Sequence, residues 1–158
     1  MRKYGIGPAA TSLAGELDAY VRAEGLEDVV HVAVNGGGVT LSISDTIGFA
    51  SGRAELLPDA APVLAEVRDL VAARPDLVVE VAGHTDDRPV HGGAFQSNLE
   101  LSLARAARVA HQLAAGDPEL STRVFAAGYG AQRPVGSNED AEGRARNRRV
   151  ELRLVPGR

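Results

Sequence analysis

At 158 residues, 44% hydrophobic and 24% charged, the chain has the size and balance of one globular domain that can bury a proper core. A net charge of −4 argues against a general nucleic-acid binder, and the absence of cysteine excludes disulfides, thiolate metal sites and a cysteine nucleophile. The charge is uneven, because Gly143 to Arg158 holds six arginines against one glutamate, a local patch suited to an anion. No apolar run approaches the roughly 20 residues that span a bilayer. The opening MRKYGIGPAATS lacks the apolar stretch of a signal peptide, so the expectation is a cytosolic protein or a fragment without its export or anchoring segment.

In chain order, Thr11 to Glu24 reads as a helix, with Leu13, Leu17, Tyr20 and Val21 on one stripe and Gly25 to close it. Val29–Val34 and Val39–Ile43 are two β-branched runs around Asn35-Gly36-Gly37-Gly38, which predicts a hairpin. After a loop, Pro62 to Ala73 forms a second helix with Leu64, Val67 and Val71 inward, stopped by Pro75. LVVEVA (77–82) reads as a buried strand, Ser97 to Ala114 as a third helix and RVFAAG (123–128) as a third core strand. Following a long loop, Val150, Leu152 and Leu154 alternate with Glu151 and Arg153, the period of a strand with one buried face. The fold class is therefore α/β (α+β), a two-layer sandwich of helices on one mixed sheet. Residues 1–28 read as an N-terminal linker and helix, and residues 29–156 as the domain proper.

The polar loop GHTDDRPVHGGAFQSN and the helix after it carry the chemistry. On a wheel of about 100° per residue, Leu99, Leu103, Ala106, Ala110 and Leu113 form a stripe expected to face the sheet. Asn98, Ser102 and Arg105 form a second stripe roughly 90–100° away, which puts Arg105 at the rim of the core. A guanidinium held there is a planar donor fork suited to a carboxylate. Its expected internal partner is Asp86 or Asp87. A ligand could use both charges, an ammonium on the aspartate and a carboxylate on the arginine, as the zwitterionic end of an amino acid would. The plain alternative is a local cap at Thr85 or Asp86 with a surface ion pair at Arg105.

Other chemistries fit less well. His84 and His91 with the two aspartates lack the spacing of a metal site, and adjacent Asp86 and Asp87 point apart rather than opposing each other across about 5–9.5 Å. His31 and His111 fall on a strand and a helix and read as scaffold. GGGVT lacks the lysine and the strand–turn–helix setting of a phosphate loop. EGRARNRRVELRL has the charge of a nucleic-acid patch but almost no aromatic residues to stack on bases, the whole chain holding three Phe and three Tyr. Asn147 and Arg148 read instead as starting the last strand beside the polar loop.

With these residues in view, GHTDDRPV…FQSNLELSLARAARVAHQL followed by GYGAQRPVGSNEDAEGRARNRRVEL resembles the OmpA-like peptidoglycan-binding domain, most nearly in the form carried by flagellar stator proteins of the MotB type. IGFASGRAELLPDAAPVL ahead of the second helix supports the likeness. The resemblance implies an OmpA C-terminal-like fold and non-covalent, non-catalytic binding of the diaminopimelate of peptidoglycan, with no cofactor and no metal. It implies that Asp86 takes the ammonium and Arg105 the carboxylate. Asn98 and Arg148 line the site and hold its loops, with Thr85 and Ser102 as lesser members. It further implies a periplasmic homodimer that partners a MotA-type channel subunit through a membrane segment this chain does not show. Two positions depart from the pattern: Leu99 stands where a Trp is usual and Ala50 where an Asp is usual. A peptidoglycan anchor of another outer-membrane or lipoprotein type, or a cell-wall hydrolase, is the alternative.

Overall fold

Gly36 and Gly37 adopt φ of 54° and 79°, so the hairpin turns in two residues that a side chain would strain. The computed structural model describes residues 8–90 and 93–157. Its elements begin with helix α1 (Pro8–Ala23), strands β1 (Val30–Asn35) and β2 (Gly38–Ser44), and a single helical turn α2 (Asp45–Gly48). A 3₁₀ turn (Pro58–Ala60) runs into α3 (Ala61–Ala72), which leads to β3 (Leu77–His84) and α4 (Asn98–Ala114). The chain ends through α5 (Pro118–Ser121), β4 (Val124–Gly128), α6 (Ala141–Asn147) and β5 (Arg149–Pro156).

The five strands form one mixed sheet in the order β1-β2-β5-β3-β4. Only β3 and β4, joined by α4, run parallel; the other pairs are antiparallel. Period-two alternation gives the sheet one apolar face, where Val39, Leu41, Leu77, Val79, Val81, Val150, Leu152 and Leu154 are all buried. Val63, Leu64 and Val67 of α3, with Val109 and Leu113 of α4, close over that face. Thr40, Glu80, Glu151 and Arg153 lie on the opposite, solvated face. The result is the expected two-layer α/β arrangement. Leu13, Leu17 and Val21 bring α1 into the same core, and Arg74 pairs with Glu16 to tie α1 to the end of α3.

Three expectations change. RVFAAG is an edge strand rather than a core strand: β4 pairs with β3 alone, and Phe125 is 56% exposed. The long loop before β5 contains α6, opened by the Asp140 side chain accepting from Gly143 N at 2.6 Å, so Asn147, expected to start the last strand, instead ends a helix and Arg148 caps it.

The third concerns α4. Its buried residues are Leu101, Ser102, Arg105, Ala106, Val109 and Leu113, whereas Leu99 and Leu103 are 54% and 47% exposed. The true inner face is turned by roughly 80° from the Leu99–Leu103 stripe and is centred on the stripe that looked polar. The wheel equated apolar with buried, but Ser102 and Arg105 find buried partners and so occupy the inner face. Ser97 caps the helix, accepting from Glu100 N at 3.1 Å. Helix and sheet approach closely at Gly83 and Gly128, where a Cβ would fall 2.8 Å from the Ser102 carbonyl carbon and 2.7 Å from Leu103 Cα, respectively.

Candidate binding site

Three strand termini meet at one end of the sheet: β2 runs into Asp45, β3 into Thr85 and Asp86, and β5 starts just after Arg148. With α4 behind them they line an open cleft of about 830 Å³ whose wall includes Asp45, Phe49, Asp86, Asn98, Arg105 and Arg148. Four of its charges alternate. Asp45 Oδ2 lies 3.5 Å from Arg105 Nη1 and 3.4 Å from Arg148 Nε, and Arg148 Nη1 lies 2.8 Å from Asp86 Oδ2.

Arg105 is 3% exposed, deeper than the rim position the wheel suggested. Its Nε donates to Arg53 O at 2.8 Å and Nη2 to Ala50 O at 3.1 Å, while its guanidinium carbon stands 4.8 Å from the centre of the Phe49 ring. Two backbone carbonyls and an aromatic face thus fix the fork, leaving Nη1, among the described residues, on the long contact to Asp45. The expected pairing of Arg105 with Asp86 or Asp87 is not what forms. Arg105 pairs with Asp45, Asp86 pairs with Arg148, and Asp87 is exposed. The reason is the topology, which sets β2 beside β5 and so brings Asp45, just past the end of β2, to the cleft where Arg105 and Arg148 meet it.

Burial pushes the Asp45 carboxyl above its ordinary value, with Arg105 and Arg148 pulling the other way. Burial lowers Arg105, opposed by Asp45. For Arg148, burial also disfavours charge, but the bond to Asp86 and the charge of Asp45 outweigh it and hold the guanidinium above its usual range.

The remaining candidates mostly hold the loop. Asp86 Oδ1 accepts from Arg88 N at 3.0 Å, a local turn bond, in addition to its pairing with Arg148. Asn98 Nδ2 donates to Asp86 O at 3.3 Å and Arg88 O at 3.0 Å, clamping the loop from the first residue of α4. Thr85 donates to Asp86 O at 2.8 Å, and its amide bonds Gly130 O. Ser102 is fully buried and outside the cleft wall; its hydroxyl donates to Leu99 O and accepts from Gly130 N at 2.9 Å, joining α4 to the segment after β4.

Asn147 satisfies backbone groups of the segment before α6. Its side-chain oxygen accepts from Val135 N and Gly136 N at 2.7 and 2.8 Å, and its amide donates to Gly136 O and Asn138 Oδ1. His84 is buried beneath Tyr129, their rings 5.3 Å apart and nearly parallel, and neither ring nitrogen has a hydrogen-bond partner among the described residues. Burial and Arg149 lower its pKa to about 4, against the pull of Glu151. His31 and His111 are exposed, and His91 lies outside the described residues. Among the described residues, no group of three or more metal-ligating side chains comes together.

The sequence reading missed Asp45 and Phe49. The signal was SDTIGF, an acid at the end of an alternating strand and beside the segment already associated with the site.

A model of the OmpA family matches residues 48–148. The chain belongs to the OmpA family. That span includes Asp86, Asn98, Arg105 and Arg148 and stops short of Asp45. Motility protein B of Bacillus subtilis is 34% identical over 146 residues, covering 92% of this chain and 56% of that protein. Among solved structures, a MotB-like protein from Desulfovibrio vulgaris superposes with a TM-score of 0.82 at 34% identity, covering 94% of each chain. The cell wall anchor of the T6SS from Pseudomonas aeruginosa does so with a TM-score of 0.78 at 34% identity, covering 89% of this chain and 96% of that one. This OmpA-like domain is therefore close to MotB, and it spans little more than half the length of that curated relative. OmpA-like anchoring domains are non-enzymatic. Among the described residues no helix is long and apolar enough to cross a membrane.

Proposed function

We propose that this domain binds peptidoglycan non-covalently by the zwitterionic end of its diaminopimelate residues. In this reading Asp86 receives the ammonium and Arg105 the carboxylate, Arg148 holds Asp86 in place, and Asn98 and Thr85 keep the loop in shape. Ser102 contributes from behind, by fixing α4 to the strand ends. The observation that carries the proposal is the fork of Arg105, fixed by two carbonyls with Nη1 left on a long contact, in one cleft with a buried carboxylate. Such a site holds charges of both signs in fixed places, and it needs no nucleophile and no general base.

The setting we infer is the periplasm, where the domain, as a homodimer, anchors a flagellar stator complex to the cell wall. A MotA-type channel subunit would be its partner through a membrane segment. The likeness to Motility protein B supports this reading. The likeness to a T6SS cell wall anchor supports a second one, the same grip serving a different envelope machine. A single cleft of this kind binds weakly, and two on a dimer facing a polymeric wall gain through effective concentration.

Sedimentation with purified peptidoglycan sacculi tests the grip. Wild type is expected in the pellet, and Asp86→Asn and Arg105→Ala largely in the supernatant. Equal sedimentation of all three would overturn the assignment of the site. Co-purification of the full-length protein with a MotA-type subunit would favour the stator setting, and its absence the second reading.

A further inference from the structure

Asp45 belongs to none of the roles above, yet it is the most central charge of the cleft. It is 8% exposed, sits where β2 turns into α2, and is held by its backbone, its N–H donating to Arg148 O at 3.1 Å and its C=O accepting from Phe49 N at 2.8 Å. Its side chain is different. Oδ2 stands between two guanidiniums at 3.4 and 3.5 Å, beyond the roughly 2.7–2.9 Å of a strong charge-assisted bond. Neither arginine depends on it for placement: Arg105 is fixed by Arg53 O, Ala50 O and the Phe49 ring, and Arg148 by Asp86. Asp45 therefore acts on the pair through its charge more than by fixing their geometry.

We propose that Asp45 is an internal counter-ion that limits the cleft's affinity for carboxylates, because a ligand carboxylate at Arg105 must share the guanidinium with it. The inference rests on the binding reading given above. Two carboxylates on one buried guanidinium lie within several ångströms of each other and repel in a medium less polarisable than water. Buried Arg105 and the partly exposed Arg148 stand side by side with an acid between them, and that acid is then part of what a ligand has to overcome.

The charged groups acting on Asp45 are Arg105 from α4 and Arg148 ahead of β5. Asp86, at the end of β3, connects to it through Arg148. Arg53 and Glu55, whose side chains pair at 3.6 Å, are largely exposed. Burial already favours the neutral form of Asp45, and a second carboxylate nearby favours it further. Carboxylate binding is therefore coupled to proton uptake at this residue.

The test is calorimetric titration of wild type and Asp45→Asn with meso-diaminopimelate at neutral pH. The asparagine keeps the shape and removes the charge. We expect it to bind about tenfold more tightly, from the Coulomb repulsion between like charges several ångströms apart near a protein surface. An unchanged or weaker Kd in a variant whose amide NMR spectrum shows an intact fold would overturn the proposal. The same titration on wild type between pH 7 and 5 stands independently of whether the variant folds. Affinity that rises as the pH falls supports the role of Asp45, and a flat or falling profile refutes it. If neither protein binds the probe or sacculi, it is the peptidoglycan reading that fails, and this inference with it.

Discussion

Replacing Gly83 by alanine adds one methyl group where α4 crosses β3. The new Cβ would stand 2.8 Å from the Ser102 carbonyl carbon and 3.2 Å from its Cα, with the carbonyl oxygen closer still. Carbon atoms pack best at roughly 3.5–4.0 Å, so strand and helix must part by about 1 Å. Neither side yields easily, since all the named atoms are backbone and α4 is anchored by the buried Leu101, Val109 and Leu113. Overpacking of this kind costs about 1–3 kcal/mol, which for a chain of this length lowers Tm by about 3–10 °C. Gly15, in the exposed middle of α1, has nothing within 4 Å of its virtual Cβ. There the same substitution raises stability by about 0.5–1 kcal/mol, by relieving the glycine's entropic cost in a helix. Thermal unfolding followed by circular dichroism reads both. Because α4 carries Arg105 and Asn98, Gly83→Ala also weakens sacculus binding at temperatures where it is folded, whereas Gly15→Ala does not. If the two variants shift Tm in the same direction, or Gly83→Ala leaves it unchanged, the close-approach argument is wrong.

His84 links stability to pH. Its folded pKa of about 4 lies below the ordinary 6.5, so its contribution is fully present above pH 6.5 and is lost as the pH falls towards 4. A shift of that size amounts to about 3 kcal/mol at most. Urea unfolding of wild type and His84→Phe, which keeps a ring against Tyr129, should give a shallower decline with acid in the variant; parallel declines would show that His84 is not responsible. Asn147→Ala leaves the amides of Val135 and Gly136 and the carbonyl of Gly136 without their partner, at a cost of about 2–4 kcal/mol. Hydrogen exchange at Val135 and Gly136 should accelerate first, and unaltered protection there would contradict the role. Ser97→Ala removes the cap of α4 and should cost about 1 kcal/mol in the same denaturation assay, with no loss expected if Glu100 N is satisfied otherwise.

Much of the fold was legible because its signals are local. The Asn-Gly-Gly turn, the alternation of Val150, Leu152 and Leu154, and the four-residue spacing of Leu13, Leu17 and Val21 each report on a few neighbouring residues, and the structure agrees with each. The face of α4 was misread for a non-local reason. Ser102 and Arg105 are buried because Gly130, Arg53, Ala50 and Asp45 meet them, and those partners lie 28 to 55 residues away in the chain for the hydrogen bonds concerned. The same limit hid Asp45. An acid ending a strand reads as an ordinary surface residue until the topology sets β2 beside β5 and brings Arg105 and Arg148 to it. β4 looked like a core strand because RVFAAG is apolar, and composition does not say how many neighbours a strand has.

Amide NMR titration of the domain with meso-diaminopimelate and, separately, with lysine, which has one carboxylate and one amino-acid centre fewer, tests the central claim most directly. The account predicts saturable shifts at Thr85, Asp86 and Arg88, at Asn98 to Arg105 and around Arg148 with diaminopimelate. They should disappear with Asp86→Asn or Arg105→Ala. Lysine should produce the same pattern more weakly. Shifts confined to the arginine-rich stretch from Arg144 to Arg153, or an identical response to both probes that survives both substitutions, would contradict a cleft that grips a zwitterion.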